Sequence, residues 1–269
     1  MQDIRDILFR DIEAQKFRAV LIAERDGILS GVDEAVKTAQ ELGVEWNSDC
    51  REGDRLFAGR IFAELIAVPK QLAMAEERII GTLSKTSGIA TSARRAVELA
   101  DGELEIVSGS WKKMPPCIKN MVRLAITTGG ASFRICEPPM LYMDKNFITM
   151  LGSVKSALFS ASEMTNVTKI VQIRGLHPSV EVETREALAG GASILMVDTG
   201  NLDDVDVCQR VLADMKMREH VRVAFAGNVK IADIPSLGKR GIDKLCIGKE
   251  IVDAPLLDMK LNVVGVLEQ

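Results

Sequence analysis

The chain has 269 residues, of which 47% are hydrophobic and 27% charged, and its formal net charge is −4. This length fits one barrel-sized domain with a smaller partner domain, and the composition is ordinary for a globular protein with a sizeable core. The negative net charge argues against a general nucleic-acid binder. No run approaches the roughly 18 apolar residues of a membrane span, so a membrane is not an expected partner either.

The cysteine and histidine content narrows the chemistry. Five dispersed cysteines without a CxxC pair are typical of reduced thiols. The opening segment MQDIRDILFRDIEAQ carries acids and lacks the apolar core of a signal peptide, so we expect a cytoplasmic protein. With only two histidines, His177 and His220, neither a histidine-based metal site nor a Ser-His-Asp triad is expected.

The first hundred residues mix strand and helix periods. Residues 17–31 predict a pair of strands that turn at an Asp-Gly dipeptide. Residues 32–43 place apolar side chains on one helical face and end in glycine. The segment 44–68 predicts further strands, and a long helix is predicted from Pro69 to Leu99 with an interruption at 86–88. This pattern is typical of a small α/β domain followed by a connecting helix.

From residue 104 onward, predicted strands alternate with predicted helices. The strands are predicted at 104–109, 140–143, 169–175, 192–198, 221–227 and 243–249. The helices are predicted at 115–127, 154–164, 180–189, 203–216 and 231–239. Apolar strands alternating with helices indicate a parallel sheet with crossover helices. The last two strands end in VAFAGN and LCIGK, which makes Gly227, Asn228, Gly248 and Lys249 candidate phosphate-binding residues.

Several motifs in the chain resemble one enzyme family. The stretch from Ala75-Glu76 through SGIAT (87–91) to Arg94-Arg95 resembles the quinolinate phosphoribosyltransferases, the carboxylating nicotinate-nucleotide pyrophosphorylases, which show AERT…LSGIAT..RR there. Four further stretches agree in order: DGILSG, VRLAITTGG, EALAGGASILMVD and DAPLLDM. The resemblance spans nearly the whole chain.

The resemblance implies an α/β fold, an incomplete α/β (TIM-like) barrel with an N-terminal α/β sandwich domain. We expect the sandwich and connecting helix over 1–100, the barrel over 101–255, and a segment over 256–269 that returns to the N-terminal domain. It also implies a homodimer or higher homo-oligomer, in which the partner's small domain completes each barrel mouth.

The resemblance further implies a reaction and the residues that carry it. The family joins a pyridine carboxylate to phosphoribosyl pyrophosphate, a step of pyridine nucleotide (NAD) biosynthesis, and releases pyrophosphate. Lys112 and Arg134 align with a lysine and an arginine of the family's DTRKT and HNHR motifs, and Asp198 aligns with the acid that closes the ILMVD strand. These three are the candidate catalytic residues. Asp198 is also the candidate ligand of Mg²⁺, the cofactor that the reaction implies.

Five further residues are candidates for binding the substrate, which is expected to be a small acid and phosphoribosyl pyrophosphate or a ribotide. They are Arg94, Arg95, Trp111, Lys145 and Gln172. Gln172 (or Ile173) falls where the family strand KIEVEVE carries a glutamate on the metal side.

The chain also departs from the family pattern at positions that carry positive charge. Glu77 and Trp111 replace arginines, Phe133 replaces a histidine, and Asp144 replaces a lysine, although Lys145 is adjacent. Each change removes positive charge from the pocket that holds two carboxylates. We therefore predict a divergent phosphoribosyltransferase that acts on a planar acid less charged than quinolinate.

Two other readings stay open at this level. The number of replaced positions also fits a non-catalytic relative that binds a nucleotide or phosphorylated metabolite, as a regulator or complex subunit. A different lyase chemistry on the same barrel is a further alternative. Three of these residues also have an explanation that involves no function. Lys112 could be a solvated surface charge, Asp198 a turn residue, and Trp111 a side chain that only packs against its neighbours.

Overall fold

The protein is described here by a computed structural model that covers residues 3–267. Its α-helices are α1 Ile4–Leu8, α2 Val32–Leu42, α3 Pro69–Ala100, α4 Lys119–Thr128, α5 Lys145–Leu151, α6 Val154–Ser160, α7 Val180–Ala189, α8 Leu202–Asp214, α9 Ile234–Leu237 and α10 Lys249–Val252. Its strands are β1 Phe17–Ala23, β2 Gly27–Ile28, β3 Glu45–Asn47, β4 Arg55–Leu56, β5 Ile61–Ala67, β6 Glu105–Val107, β7 Met140–Met143, β8 Thr168–Ile173, β9 Ile194–Asp198, β10 Arg222–Ala226, β11 Lys244–Cys246 and β12 Met259–Val266.

The chain divides into two compact units. The first unit comprises the residues up to 95, residues 114–130 and those from 251 onward. The second, called the barrel unit below, comprises residues 96–113 and 131–250. Strand β12 therefore returns to the first unit after the chain has completed the barrel unit.

The first unit is built on a four-stranded antiparallel sheet in the order β12-β1-β5-β3. Its core contains Leu21 and Phe62 from the sheet and Ile79 and Leu83 from α3, all of them buried. The prediction that residues 17–31 form a strand pair is wrong in its pairing. β1 pairs with β12 and β5, whereas β2 pairs with β4.

Helix α3 runs without a break through the segment where an interruption was predicted. Thr86 Oγ1 donates to the carbonyl oxygen of Thr82 in the preceding turn, at 2.8 Å, and lies 2.5 Å from the carbonyl oxygen of Ser30. Hydroxyl groups that bond back to the helix do not break it. Gly88 serves a close approach, since a Cβ there would overlap the carbonyl oxygen of Pro255.

Other helix boundaries differ less from the prediction. The helix predicted at 115–127 begins as a 3-10 turn at Pro116–Ile118 and becomes α4 only at Lys119, because its two prolines lack the N–H that a helix interior needs. Helices α1 and α5 were not predicted. The remaining helices and strands of the barrel unit lie within a few residues of their predicted positions.

The barrel unit contains a six-stranded parallel sheet in the order β6-β11-β10-β9-β8-β7. In a closed barrel β6 and β7 would be neighbours, but here they are the two edges. The bridge between Val107 and Ser132 adds only a short paired segment beside β6. The unit is therefore an incomplete α/β barrel, as predicted.

Alternate residues of these strands share one face and pack together. Ile170, Ile194, Met196 and Ala224 are buried in this cluster, and Tyr142, Ala226 and Cys246 pack against it. This arrangement follows the two-residue period of a strand. It places the next residues of the same period, such as Gln172 and Asp198, at the carboxyl ends of their strands.

A buried carboxylate fixes the loop that follows β8. Glu183, in the first turn of α7, is 1% exposed. Its Oε2 accepts hydrogen bonds from the backbone N–H groups of Arg174 and Gly175, and its Oε1 from those of Leu176 and His177, at 2.7–2.9 Å. These four bonds compensate for the burial of the charge and hold the loop backbone in one conformation.

Among residues 3–267, no helix combines the length and the apolar character needed to cross a membrane, and this includes the 32-residue α3.

Replacement of Gly88 by alanine should destabilise the first unit, because the added methyl group must displace the backbone of Pro255. We expect a loss of about 1–3 kcal/mol in the free energy of unfolding, measured by urea denaturation. Gly81→Ala is the matched control, since Gly81 lies on the same helix with open space around it. That variant should gain up to about 1 kcal/mol from helix propensity. Equal effects of the two variants would contradict the close-approach explanation.

Replacement of Glu183 by glutamine should destabilise the loop after β8. Glutamine keeps one acceptor oxygen but turns an NH₂ group toward two of the four backbone donors. We expect a loss of about 2–3 kcal/mol by urea denaturation. Glu181→Gln, on the exposed side of the same helical turn, should change stability by less than about 1 kcal/mol, since it removes only a surface ion pair with Arg185.

Candidate active site

Two predicted site residues meet at the carboxyl ends of β8 and β9. Gln172 Nε2 donates to Asp198 Oδ2 at 2.6 Å, and Gln172 Oε1 accepts from the backbone N–H of Lys145 at 2.7 Å. The buried amide of Gln172 therefore links the ends of three strands, β7, β8 and β9, through its two polar atoms. The side chain of Lys145 itself is exposed.

Arg174 is a site residue that the sequence analysis missed. Its Nη1 lies 3.4 Å from Asp198 Oδ2, so the carboxylate that closes β9 has a guanidinium partner. One signal was available in the sequence. Arg174 stands two residues after Gln172, and the two-residue period of a strand directs both side chains toward the same face.

Lys112 lies on an aromatic ring of the barrel unit. The 3-10 turn Ser110–Lys113 follows β6 and places the Lys112 Nζ 5.9 Å from the centroid of the Tyr142 ring. A cation at this distance is attracted by the negative face of the ring. The ring thus orients the ammonium group of Lys112, although the lysine is exposed.

Tyr142 and Cys246 both keep their protons near neutral pH. Burial raises the pKa of the Tyr142 phenol above its ordinary value, and the negative charges of Asp198 and Asp144 raise it further. Burial likewise raises the pKa of the Cys246 thiol to about 12, and Asp198 adds to the effect. Since the thiolate is the reactive form, Cys246 is not a nucleophile here. Tyr142 acts as a neutral ring and hydroxyl.

Trp111, Phe133 and Arg134 form a second group. Trp111 Nε1 donates to the carbonyl oxygen of Phe133 at 2.7 Å, and the two rings meet edge to face with centroids 6.0 Å apart. The Arg134 guanidinium carbon lies 4.6 Å from the Phe133 centroid, and its Nη1 is 3.7 Å from Glu137. Two aromatic rings and a cation are therefore held in one arrangement beside the end of β6.

The predicted phosphate-binding residues follow β10 and β11. Gly227 has a φ of 115° and packs so closely on the backbone of Gly200 that no side chain fits between them. Asn228 has a φ of 61° and is exposed, as is Lys249. The backbone N–H of Ile231 donates to Glu250 Oε2 at 2.6 Å. This bond ties the segment after β10 to α10, the helix that begins at Lys249, next to Gly248. Phosphate binding by these loops stays a prediction.

The remaining predicted residues are Arg94 and Arg95, both on helix α3. Arg94 and Arg95 belong to the first unit. Arg94 Nη2 donates to the carbonyl oxygen of Thr128 at 3.4 Å, and Arg95 is exposed. Of the replaced positions, Glu77 pairs with Arg5 at 3.1 Å, and Asp144 caps α5 by accepting hydrogen bonds from two backbone N–H groups.

The surroundings of Asp198 do not fit a resident magnesium ion. Mg²⁺ takes oxygen ligands and is usually bound by one or two carboxylates with substrate phosphates. Asp198 Oδ2 already accepts from Gln172 and pairs with Arg174. Within residues 3–267, no cluster of three His, Cys, Asp or Glu residues is placed to hold a metal ion. We therefore assign no step to a protein-bound metal.

The chain resembles known enzymes over nearly its whole length. The probable carboxylating nicotinate-nucleotide pyrophosphorylase of Methanothermobacter thermautotrophicus is 24% identical over 274 aligned residues, covering 97% of this chain and 95% of that protein. The carboxylating nicotinate-nucleotide pyrophosphorylase of Rattus norvegicus is 27% identical over 252 residues, covering 91% and 81%.

Solved structures share the fold. NadC from Streptococcus pyogenes superposes with a TM-score of 0.82 at 22% identity, covering 100% of this chain and 92% of that one. The nicotinate-nucleotide pyrophosphorylase from Pyrococcus furiosus gives a TM-score of 0.79 at 21% identity, covering 99% and 75%. Residues 5–87 match the model of the quinolinate phosphoribosyl transferase N-terminal domain, and residues 89–262 match that of the C-terminal domain. The chain belongs to the quinolinate phosphoribosyl transferase family of enzymes.

Proposed function

We propose that the protein joins a planar aromatic acid with a single carboxylate to phosphoribosyl pyrophosphate, with release of pyrophosphate. The observation that carries this proposal is the pairing of two cations with aromatic rings, Lys112 over Tyr142 and Arg134 over Phe133, in the unit that also holds Asp198. Such pairs offer positive charge for a carboxylate and flat apolar surface for a ring.

Each group of the site has a role in this reaction. Lys112 and Arg134 would bind the carboxylate of the acid, and the ring of Trp111, which Phe133 meets edge to face, would pack against the plane of the acid. Asp198 would accept hydrogen bonds from ribose hydroxyls and stabilise the positive charge that develops on the sugar as pyrophosphate leaves. The loops that follow β10 and β11 would hold the 5′-phosphate through backbone N–H groups.

The preference for one carboxylate follows from charge. At four positions where the family offers cationic side chains, this chain has Glu77, Trp111, Phe133 and Asp144. Glu77 and Asp144 are carboxylates and offer no positive charge to the acid. Glu77 pairs with Arg5, and Asp144 caps a helix. A dicarboxylate such as quinolinate would therefore lack a cationic partner for its second carboxylate.

The related enzymes are named as carboxylating pyrophosphorylases, which supports a catalytic role and gives no support to the non-catalytic alternative. Nothing in the site favours a lyase. The homodimer and the cytoplasmic location stay predictions. Magnesium would enter as the counter-ion of phosphoribosyl pyrophosphate.

An assay of the purified protein with phosphoribosyl pyrophosphate, Mg²⁺ and one acid at a time tests the proposal. We expect nucleotide formation with nicotinate or another aromatic monoacid, and little or none with quinolinate, because the second carboxylate lacks a cationic partner. Nucleotide formation is followed by liquid chromatography. Faster turnover of quinolinate than of every monoacid would refute the proposed preference, and an absence of turnover with all acids would refute the proposed reaction.

Replacement of Lys112 by glutamine should weaken binding of the acid, because it removes the ammonium group that lies on Tyr142. We expect KM for the acid to rise about tenfold or more, as for the loss of one charge-assisted hydrogen bond. The neighbouring Lys113→Gln variant is the matched control and should keep the wild-type KM. If both variants behave alike, Lys112 has no specific role in binding.

A further inference from the structure

We infer that Arg174 is a fixed cation that takes the place of a resident metal ion beside Asp198, so that the protein binds the pyrophosphate group of its phosphorylated substrate without a metal of its own. The inference rests on the proposed function, because that function supplies a pyrophosphate-bearing substrate. It adds a binding residue, Arg174, and the independence of pyrophosphate binding from a resident metal, neither of which the family pattern or the relatives indicate.

The first argument is the state of the Asp198 carboxylate. Its Oδ2 accepts the amide hydrogen of Gln172 at 2.6 Å and lies 3.4 Å from Arg174 Nη1. A divalent ion on this carboxylate would stand a few ångströms from the guanidinium. At an effective dielectric constant near 20, each unit of like charge about 5 Å away weakens binding roughly a hundredfold or more.

The second argument is that Arg174 is anchored by its backbone and open at its tip. Glu183 holds the backbone N–H of Arg174 and of the next three residues, so the starting point of the side chain is fixed. The side chain is 37% exposed, which leaves its guanidinium within reach of a ligand.

The third argument is the chemistry of the guanidinium. Arginine carries five N–H donors in a planar fork, and its pairing with Asp198 employs Nη1. The remaining donors match the oxygens of a phosphate or pyrophosphate group. Asp198 thereby orients the fork and leaves these remaining donors for the oxygens of a pyrophosphate group.

Calorimetric titration of inorganic pyrophosphate into the ligand-free protein tests the inference in two buffers, one with EDTA and one with excess Mg²⁺. We expect wild type to bind in EDTA with a Kd within about tenfold of that in Mg²⁺. Arg174→Gln should weaken binding in EDTA by about tenfold or more. Arg174→Lys should retain part of the affinity, since it keeps the charge but not the fork. Arg185→Gln, a surface arginine of the same unit that pairs with Glu181, is the matched control and should bind as wild type does.

The outcomes separate the inference from the proposed function. Binding by wild type only in Mg²⁺, or unchanged binding by Arg174→Gln, would overturn the inference and leave the proposed reaction standing. No binding in either buffer, together with no turnover of any acid, would overturn both.

Electron paramagnetic resonance of Mn²⁺ gives a readout that does not depend on the substrate. Ligand-free wild type should bind no Mn²⁺ at Asp198, whereas Arg174→Glu should gain a Mn²⁺ site because it sets a second carboxylate beside Asp198. A Mn²⁺ ion bound by wild type and lost in Asp198→Asn would overturn the inference. Failure of Arg174→Glu to gain a site would also count against it.

Discussion

The arrangement of charge in the barrel unit depends on the buried carboxylate of Glu183. This group alone satisfies four consecutive backbone N–H groups of the loop after β8, a loop that would otherwise lack partners for them. The loop in turn determines where Arg174 begins, and Arg174 neutralises Asp198. A carboxylate on α7 thus fixes the backbone from which the cation beside Asp198 extends, and it does so through hydrogen bonds to main-chain N–H groups.

The comparison of sequence with structure shows where local pattern suffices. Strand β7 and helix α7 have their predicted bounds, because their apolar periods are clear and Ser179 marks the start of the helix. The pairing of β1 with β12 could not be predicted from local pattern, since the two strands are separated by the whole barrel unit. The continuity of α3 was missed because the Thr-Ser-Gly sequence at 86–88 is typical of a break. Only the packing of Ser30 and Pro255 explains those residues.

The candidate site also contains residues that could be predicted from the sequence and one whose position depends on a more distant contact. Asp198 and Gln172 were predicted because they align with acidic positions of the family's strands, and the structure brings them within hydrogen-bonding distance. Arg174 was missed because it lies just beyond the end of β8, in a loop whose position depends on a glutamate nine residues later. Membership in a family rests on the whole chain, whereas the substrate depends on a few side chains, so one fold supports several specificities.

The position of β12 has a consequence for synthesis. The first sheet contains an edge strand, β12, that pairs with β1 along its whole length, and the barrel unit lies between these two strands in the sequence. While a ribosome produces the barrel unit, β1 can pair with β5, but its other edge remains without a partner strand. Such an edge invites pairing with other chains. The growing polypeptide is therefore exposed to misassembly for as long as the barrel unit is being made, and factors that shield nascent chains matter during that interval.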